Sequence, residues 1–307
     1  MPEQLNNVAL VGATGNIGRK VLAALLEQNQ HSITAITRAT SKALFPPAVT
    51  VHRGDLKDPA FLRSSLAGQD ILVSLVAHDA LEDEAQFLEV AKQAGVKVFV
   101  PSDFGNPLSD QRFTGAIPSM KRKLEIALRA REAGIIMINV VTSFWIDLML
   151  ENDLLEYKFA QRQATLYTDS LAANVSTTNQ VALAIARLLA LPYSTICKHF
   201  EEESDLHISS FLVSQPDIFG MVLKATRTRE QDWTIFRQRS EDLLSKGEAG
   251  ILIDQNDVQA MVDLSLGLTY KYGGPGPVGK HNALLRLPRE DLEVVIKQAV
   301  QVAESRH

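Results

Sequence analysis

Gly12, Gly15 and Gly18 stand at the spacing G-x-x-G-x-x-G within Gly12-Ala13-Thr14-Gly15-Asn16-Ile17-Gly18, directly after the apolar run Val8-Ala9-Leu10-Val11. Glycines so spaced let a backbone turn tightly, approach a pyrophosphate with no Cβ in the way, and pack a helix close against a strand. The amides that open such a helix point at the phosphates with the positive end of the helix dipole behind them. The loop therefore reads as dinucleotide-binding, with Gly12, Thr14, Gly15, Asn16, Ile17 and Gly18 as its contacts. A second position selects among dinucleotides. The next apolar run ends in Ile36-Thr37-Arg38 and continues to Thr40, Ser41 and Lys42 with no acid in reach. An acid there would take the ribose 2′-hydroxyl of NAD, whereas a guanidinium takes the 2′-phosphate of NADP. Arg38 offers a bidentate phosphate partner and Lys42 a point charge, so the expected cofactor is NADPH.

Those residues work only if strands and helices hold them at one edge of a sheet. Short continuous apolar runs alternate with longer amphipathic segments through residue 145, the pattern of strands buried on both faces by crossover helices. Strands are expected over Asn7 to Val11, Ser32 to Thr37, Val49 to Arg53, Ile71 to Leu75, Lys97 to Pro101 and Ile136 to Val141. Helices are expected over Ile17 to Gln28, Pro59 to Ala67, Glu82 to Ala94 and Ser119 to Ala133. Gly95 and Gly134 follow two of these helices, where a left-handed residue closes the last turn. The fold class is thus α/β, a Rossmann-type doubly wound parallel sheet over residues 1–150. A smaller C-terminal α/β substrate lobe, interleaved with it, takes 151–307.

In that lobe the pattern predicts helices over Asn179 to Leu189, Asp217 to Thr226, Glu241 to Ser245, Asp257 to Leu266 and Arg289 to Glu304, and a strand over His207 to Val213. Lys271 to Asn282, with four glycines and two prolines, reads as a loop. No repeat or low-complexity tract is present.

Hydride transfer needs a proton donor beside the acceptor, because charge develops on the substrate. A Tyr-x-x-x-Lys pair would serve, but none of the five tyrosines has a lysine four residues on. The ends of the fourth and fifth strands instead carry Ser74-Leu75-Val76 and Pro101-Ser102-Asp103-Phe104-Gly105, followed by a helix with Lys121, Arg122 and Lys123. Ligands of open α/β sheets sit beyond the carboxyl ends of the strands, so Ser74, Ser102 and Phe104 are expected to border the cofactor. Ser102 and Asp103 read as shaping the loop rather than reacting.

At these residues the chain resembles the isoflavone reductase-like and NmrA-like families of atypical short-chain dehydrogenases, in a form similar to fungal members. The resemblance rests on the GATGNIG loop, Thr37-Arg38, PSDFG, and the lysine-bearing helix that ends in EAGI. It covers the first 150 residues. It implies an NADPH-dependent reductase of a small aromatic or secondary-metabolite substrate. The family's catalytic lysine lies eleven residues before the glycine closing that helix, which gives Lys123 when counted from Gly134, with Lys121 as the alternative register. Ala127-Leu128 departs from the family, which has paired arginines there. Such a lysine can act as general acid toward a carbonyl or stabilise an enolate. His78, just past the fourth strand, and Phe144 and Trp145, past the sixth, are candidate substrate contacts. A nucleotide-binding regulatory or redox-sensing module without turnover, and an isomerase or cyclase without net redox change, remain open on the same scaffold.

Composition narrows the setting. Hydrophobic residues at 46% and charged residues at 22% are the balance of a packed globular chain. A formal charge of −5 gives no basic field for a nucleic-acid backbone, so the expected partner is a small molecule. Cys197 is the sole cysteine and has only His199 near it, so neither a disulfide nor a metal site is expected. No signal sequence or membrane-length apolar run is read, which points to the cytoplasm, as a monomer or homodimer.

Overall fold

Buried apolar strands set the architecture of the computed structural model, which describes residues 4–77, 83–274 and 279–306. β1 (Asn7–Val11), α1 (Asn16–Gln28), β2 (Ser32–Arg38), β3 (Val49–Gly54), α2 (Pro59–Leu66), β4 (Ile71–Ser74), α3 (Asp83–Ala94), β5 (Val98–Val100), α4 (Gln111–Ala116), α5 (Pro118–Glu132) and β6 (Ile136–Met137) follow in turn. The six strands form one parallel sheet in the order β3-β2-β1-β4-β5-β6. The chain winds outward from β1 to β3, then returns to the other side of β1 at β4. That reversal opens a crevice beyond the carboxyl ends of β1 and β4, where Val11 pairs with Ser74.

Each element forms for a local reason. Val8, Leu10, Ile71, Val73, Val98 and Val100 are buried strand residues, each worth about 1.5–3 kcal/mol removed from water. α1 turns Ile17, Val21, Leu22 and Leu25 inward and closes at Asn29 in the left-handed conformation. Asp58 caps α2 by accepting the Ala60 N–H, with Pro59 in the first turn. Gly95 and Gly134 have φ of +79° and +71° after α3 and α5, the closure expected of residues without Cβ.

Beyond β6 come β7 (Asn139–Val141), β8 (Phe144–Trp145), α6 (Ile146–Glu151), β9 (Tyr157–Lys158), β10 (Gln163–Tyr167), β11 (Ala173–Ser176), α7 (Thr178–Leu189), α8 (Tyr193–Phe200), β12 (Asp205–His207), β13 (Phe211–Val213), α9 (Gln215–Thr226), β14 (Thr234–Gln238), α10 (Ser240–Ile253), α11 (Val258–Tyr272) and α12 (Leu292–Ser305). Two compact units share the chain. The first takes Met1–Phe104, Arg122–Val141 and Val181–Leu206 and carries the six-stranded sheet; the second takes Gly105–Lys121, Thr142–Gln180 and His207–His307. Residues 181–206, which pattern reading assigns to the C-terminal lobe, fall in the first unit. There β12 pairs with β7, and Asn139 donates its amide to the Ser204 carbonyl at 2.8 Å and its side-chain N–H to Asp205 at 2.9 Å.

The same exchange of partners breaks the single strand expected over Ile136 to Val141. Ile138 still donates to Phe99, but Asn139 has turned to Ser204. The strand expected over His207 to Val213 also divides, into β12 and β13. Between them Asn282 accepts from the Ser209 N–H and donates to its carbonyl, which pulls the backbone out of line. The helix expected to stop at Ser245 runs on to Ile253. A Cβ on Gly247 would press on the Ala260 carbonyl and Leu264, and one on Gly250 on Ala260, so the two glycines are points where α10 meets α11.

The second unit has its own core, in which the Trp233 ring stands edge-on to Phe219 and Phe159. Among the described residues no single helix is long and apolar enough to cross a membrane.

Candidate active site

The turn after β1 is built around its glycines. Gly12 has φ +83°, and a Cβ there would come within 2.7 Å of the Leu75 carbonyl carbon, so backbone from β1 and from the end of β4 meet with no room between them. The Gly15 N–H donates to the Gly12 carbonyl at 3.0 Å, tightening the turn. A Cβ on Gly18 would lie 2.9 Å from the Ala13 backbone, so the third glycine lets α1 settle against the loop. α1 begins at Asn16 with Thr14 and Gly15 exposed before it.

Beside this turn, in the first unit, lies a cavity of about 770 Å³. Gly12, Thr14, Gly15 and Arg38 line it, as do Leu75 and Val76 past β4. Asp55 and Lys57, past β3, line it too and carry no motif by which sequence could have found them. The exposed Arg38 opens a turn closed by the Ser41 N–H on its carbonyl at 2.9 Å, and Arg53 holds that turn by donating to the carbonyls of Ser41 and Ala43. A cradle that a Cβ would fill, bordered by an exposed guanidinium, fits a phosphorylated dinucleotide.

Other nominated residues sit elsewhere. Asn16 is exposed at the start of α1, while Ile17 and Gly18 are buried beneath it. Lys42 is exposed and does not line the cavity. Ser74 is fully buried. Phe104 is half-buried beyond β5. Phe144 and Trp145 are half-buried in β8 of the second unit, where the Trp145 Nε1–H donates to the Thr142 hydroxyl at 3.0 Å. His78 lies outside the described residues.

A second cluster gathers where β4 and β5 end. The Lys123 ammonium donates to Asp103 Oδ1 at 2.8 Å, with side chains 16% and 2% exposed respectively. Lys121, two residues earlier on the same helix, is exposed. Asp103 is therefore more than a loop-shaping residue: it is the counter-charge of the lysine.

Glu84, in the first turn of α3, is fully buried, and its Oε1 accepts the Ser102 N–H at 2.6 Å. The Ser102 hydroxyl in turn donates to the carbonyl of Val76, a cavity residue, at 2.7 Å. Burial pushes the Glu84 carboxyl up, as does the Asp103 charge; the nearby Ser74 hydroxyl, the Ser102 amide and the Lys123 charge only partly offset this. Sequence reading missed Glu84, since an acid in a helix's first turn ordinarily marks an exposed, dipole-favoured position. Among the described residues no cluster of histidine, cysteine and carboxylate side chains could hold a metal ion.

Comparison with known proteins places the chain. The sequence profile described as the NmrA-like family matches residues 4–177. The chain is similar to "Oxidoreductase aprR" of Aspergillus flavus, 30% identical over 227 residues that span 72% of this chain and 74% of the relative. It is also similar to "Isoflavone reductase homolog IRL" of Zea mays, 31% identical over 160 residues, 47% of this chain and 50% of the relative. Among solved structures, "AtPrR2 with NADP+ and (+)pinoresinol" superposes with a TM-score of 0.77 at 17% identity, over 98% of this chain and all of the other. An isoflavone reductase superposes at 0.73 and 16% identity, covering 96% of this chain and 99% of the other. At such identities the superpositions speak for the fold.

Proposed function

The chain belongs to the NmrA-like family, and we propose that, as an NADPH-dependent reductase, it reduces a small aromatic substrate with Lys123 as the proton donor. The observation that carries this reading is the Lys123–Asp103 pair, held at the end of β5 in the unit whose glycine turn lines the cavity. The cofactor, when bound, supplies the hydride. The chain's own residues do the rest. The amides that open α1 after the glycine turn would hold the pyrophosphate, and Arg38 would pair with the 2′-phosphate. Lys123 delivers a proton to the substrate atom that gains negative charge, and Asp103 holds the ammonium in place until it does so.

An aromatic substrate is supported by the names of one relative and one protein of the same fold. One is named an isoflavone reductase homologue and one is a structure with NADP+ and pinoresinol. The buried lysine–carboxylate pair at the strand ends supports turnover over a redox-sensing module that binds nucleotide only, because such sites are where catalytic acids are held. The test is a fluorescence titration with NADPH and NADH, followed by a screen of aromatic ethers and enones for NADPH oxidation, with Lys123→Ala as control. Tight NADPH binding and lysine-dependent oxidation are expected; turnover unaffected by Lys123→Ala would assign the proton donor elsewhere.

A further inference from the structure

Two buried carboxyls lie near one ammonium at the end of β5. Asp103 takes the Lys123 Nζ on Oδ1, while its Oδ2 is buried with no hydrogen-bond partner. Glu84 takes the Ser102 N–H on Oε1, while its Oε2 is likewise buried, near the Ser74 hydroxyl but making no hydrogen bond of ordinary length. A buried carboxylate short of donors is costly, and two of them beside a single lysine leave one uncompensated charge. One proton in this cluster removes that charge. The groups around Glu84 are Ser74 from β4, Ser102 and Asp103 from the loop after β5, and Lys123 from α5. Asp103 already holds the ammonium, so Glu84 is the carboxyl left without a counter-charge, and burial pushes it up in the same direction.

We propose that Glu84 is a positioning residue for Lys123: as a neutral acid it clamps the Ser102 amide, which fixes the turn that carries Asp103 against the lysine. Ser102 is bound on both sides, its amide by Glu84 and its hydroxyl by Val76, so the turn cannot shift without breaking one of these bonds. The next residue is Asp103. The clamp thus passes through a single peptide unit to the carboxylate that holds the lysine. This inference rests on the reading of Lys123 as proton donor, but it can be tested without a substrate.

The 307-residue chain is labelled with a lysine-reactive acetyl ester across a pH series, and modification of the Lys123 peptide is followed by mass spectrometry. Glu84→Leu is expected to raise the labelling rate of Lys123 several-fold, because the loosened turn frees the ammonium from Asp103. Glu84→Gln keeps an uncharged acceptor for the Ser102 amide and is expected to label at the wild-type rate with the wild-type pH profile. Glu84→Asp, one methylene short of the amide, replaces Glu84→Leu if that variant does not fold. Unchanged labelling in Glu84→Leu or Glu84→Asp would overturn the clamp, and a displaced profile in Glu84→Gln would overturn the neutral form. NADPH titration of the same variants keeps the two readings apart. If binding is intact while labelling does not respond, the clamp alone fails; if NADPH does not bind even the wild type, the reductase reading fails.

Discussion

Lys123 on α5 and Asp103 after β5 meet at 2.8 Å between Nζ and Oδ1, with the carboxylate almost wholly out of water. They lie twenty residues apart in sequence, and the parallel pairing of β5 with β6 brings the intervening crossover back over the strand end. Lys123→Ala is expected to lower kcat by about 10²–10⁴-fold, the span of a lost general acid, while leaving NADPH affinity near wild type. Steady-state kinetics and nucleotide fluorescence together check it.

The same substitution leaves Asp103 buried without its counter-ion. Breaking one side of a buried pair costs about 3–5 kcal/mol, whereas removing both charges costs less. Lys123→Ala is therefore expected to lower the denaturation midpoint, and Lys123→Ala with Asp103→Asn to recover part of the loss in urea titration.

Arg38 stands exposed at the cavity wall. A hydrogen-bonded charge pair contributes about 1.5–3 kcal/mol, so Arg38→Ala is expected to weaken NADPH binding by roughly 10- to 100-fold and leave NADH binding unchanged. Equal weakening of both nucleotides would contradict a 2′-phosphate role.

Gly12 has a left-handed φ and no space for a Cβ. Gly12→Ala must displace the Leu75 backbone on β4's far end, so both cofactor affinity and thermal stability are expected to fall. Calorimetry with and without NADPH separates the two: the variant's midpoint should respond much less to the nucleotide than the wild type's.

Asp70 ties three strands at their amino ends, accepting from Lys97 at 2.7 Å and from the N–H groups of Asn6 and Asn7 at 3.0 and 3.1 Å. Burial pushes its carboxyl up, but these donors outweigh it and hold it below the usual carboxylate range. A depressed folded-state value means that the stabilisation is fully present above the unfolded-state value, near 3.9, and is lost as pH falls through the folded one. Asp70→Asn is expected to lower stability at neutral pH by about 1–3 kcal/mol and to flatten the acid limb of the stability profile.

Much of this was legible in the chain itself. Apolar runs marked β1, β2, β4 and β5, because a strand covered on both faces is built mostly of apolar residues, whereas β3 at the sheet edge mixes apolar with polar ones. The glycine spacing marked the turn after β1, because a Cβ there collides with backbone whatever else surrounds it. Arg38 was visible as the residue ending β2. Local sequence does not carry partner choice. Asn139 leaves the sheet for Ser204, and Asn282 splits the segment after His207, through hydrogen bonds to residues distant in sequence. Burial of charge is likewise invisible in one dimension. Glu84, Asp103 and Lys123 look like solvated residues when read in order; only the packing of α3 and α5 around the end of β5 removes them from water, and burial is what turns ordinary charges into a site.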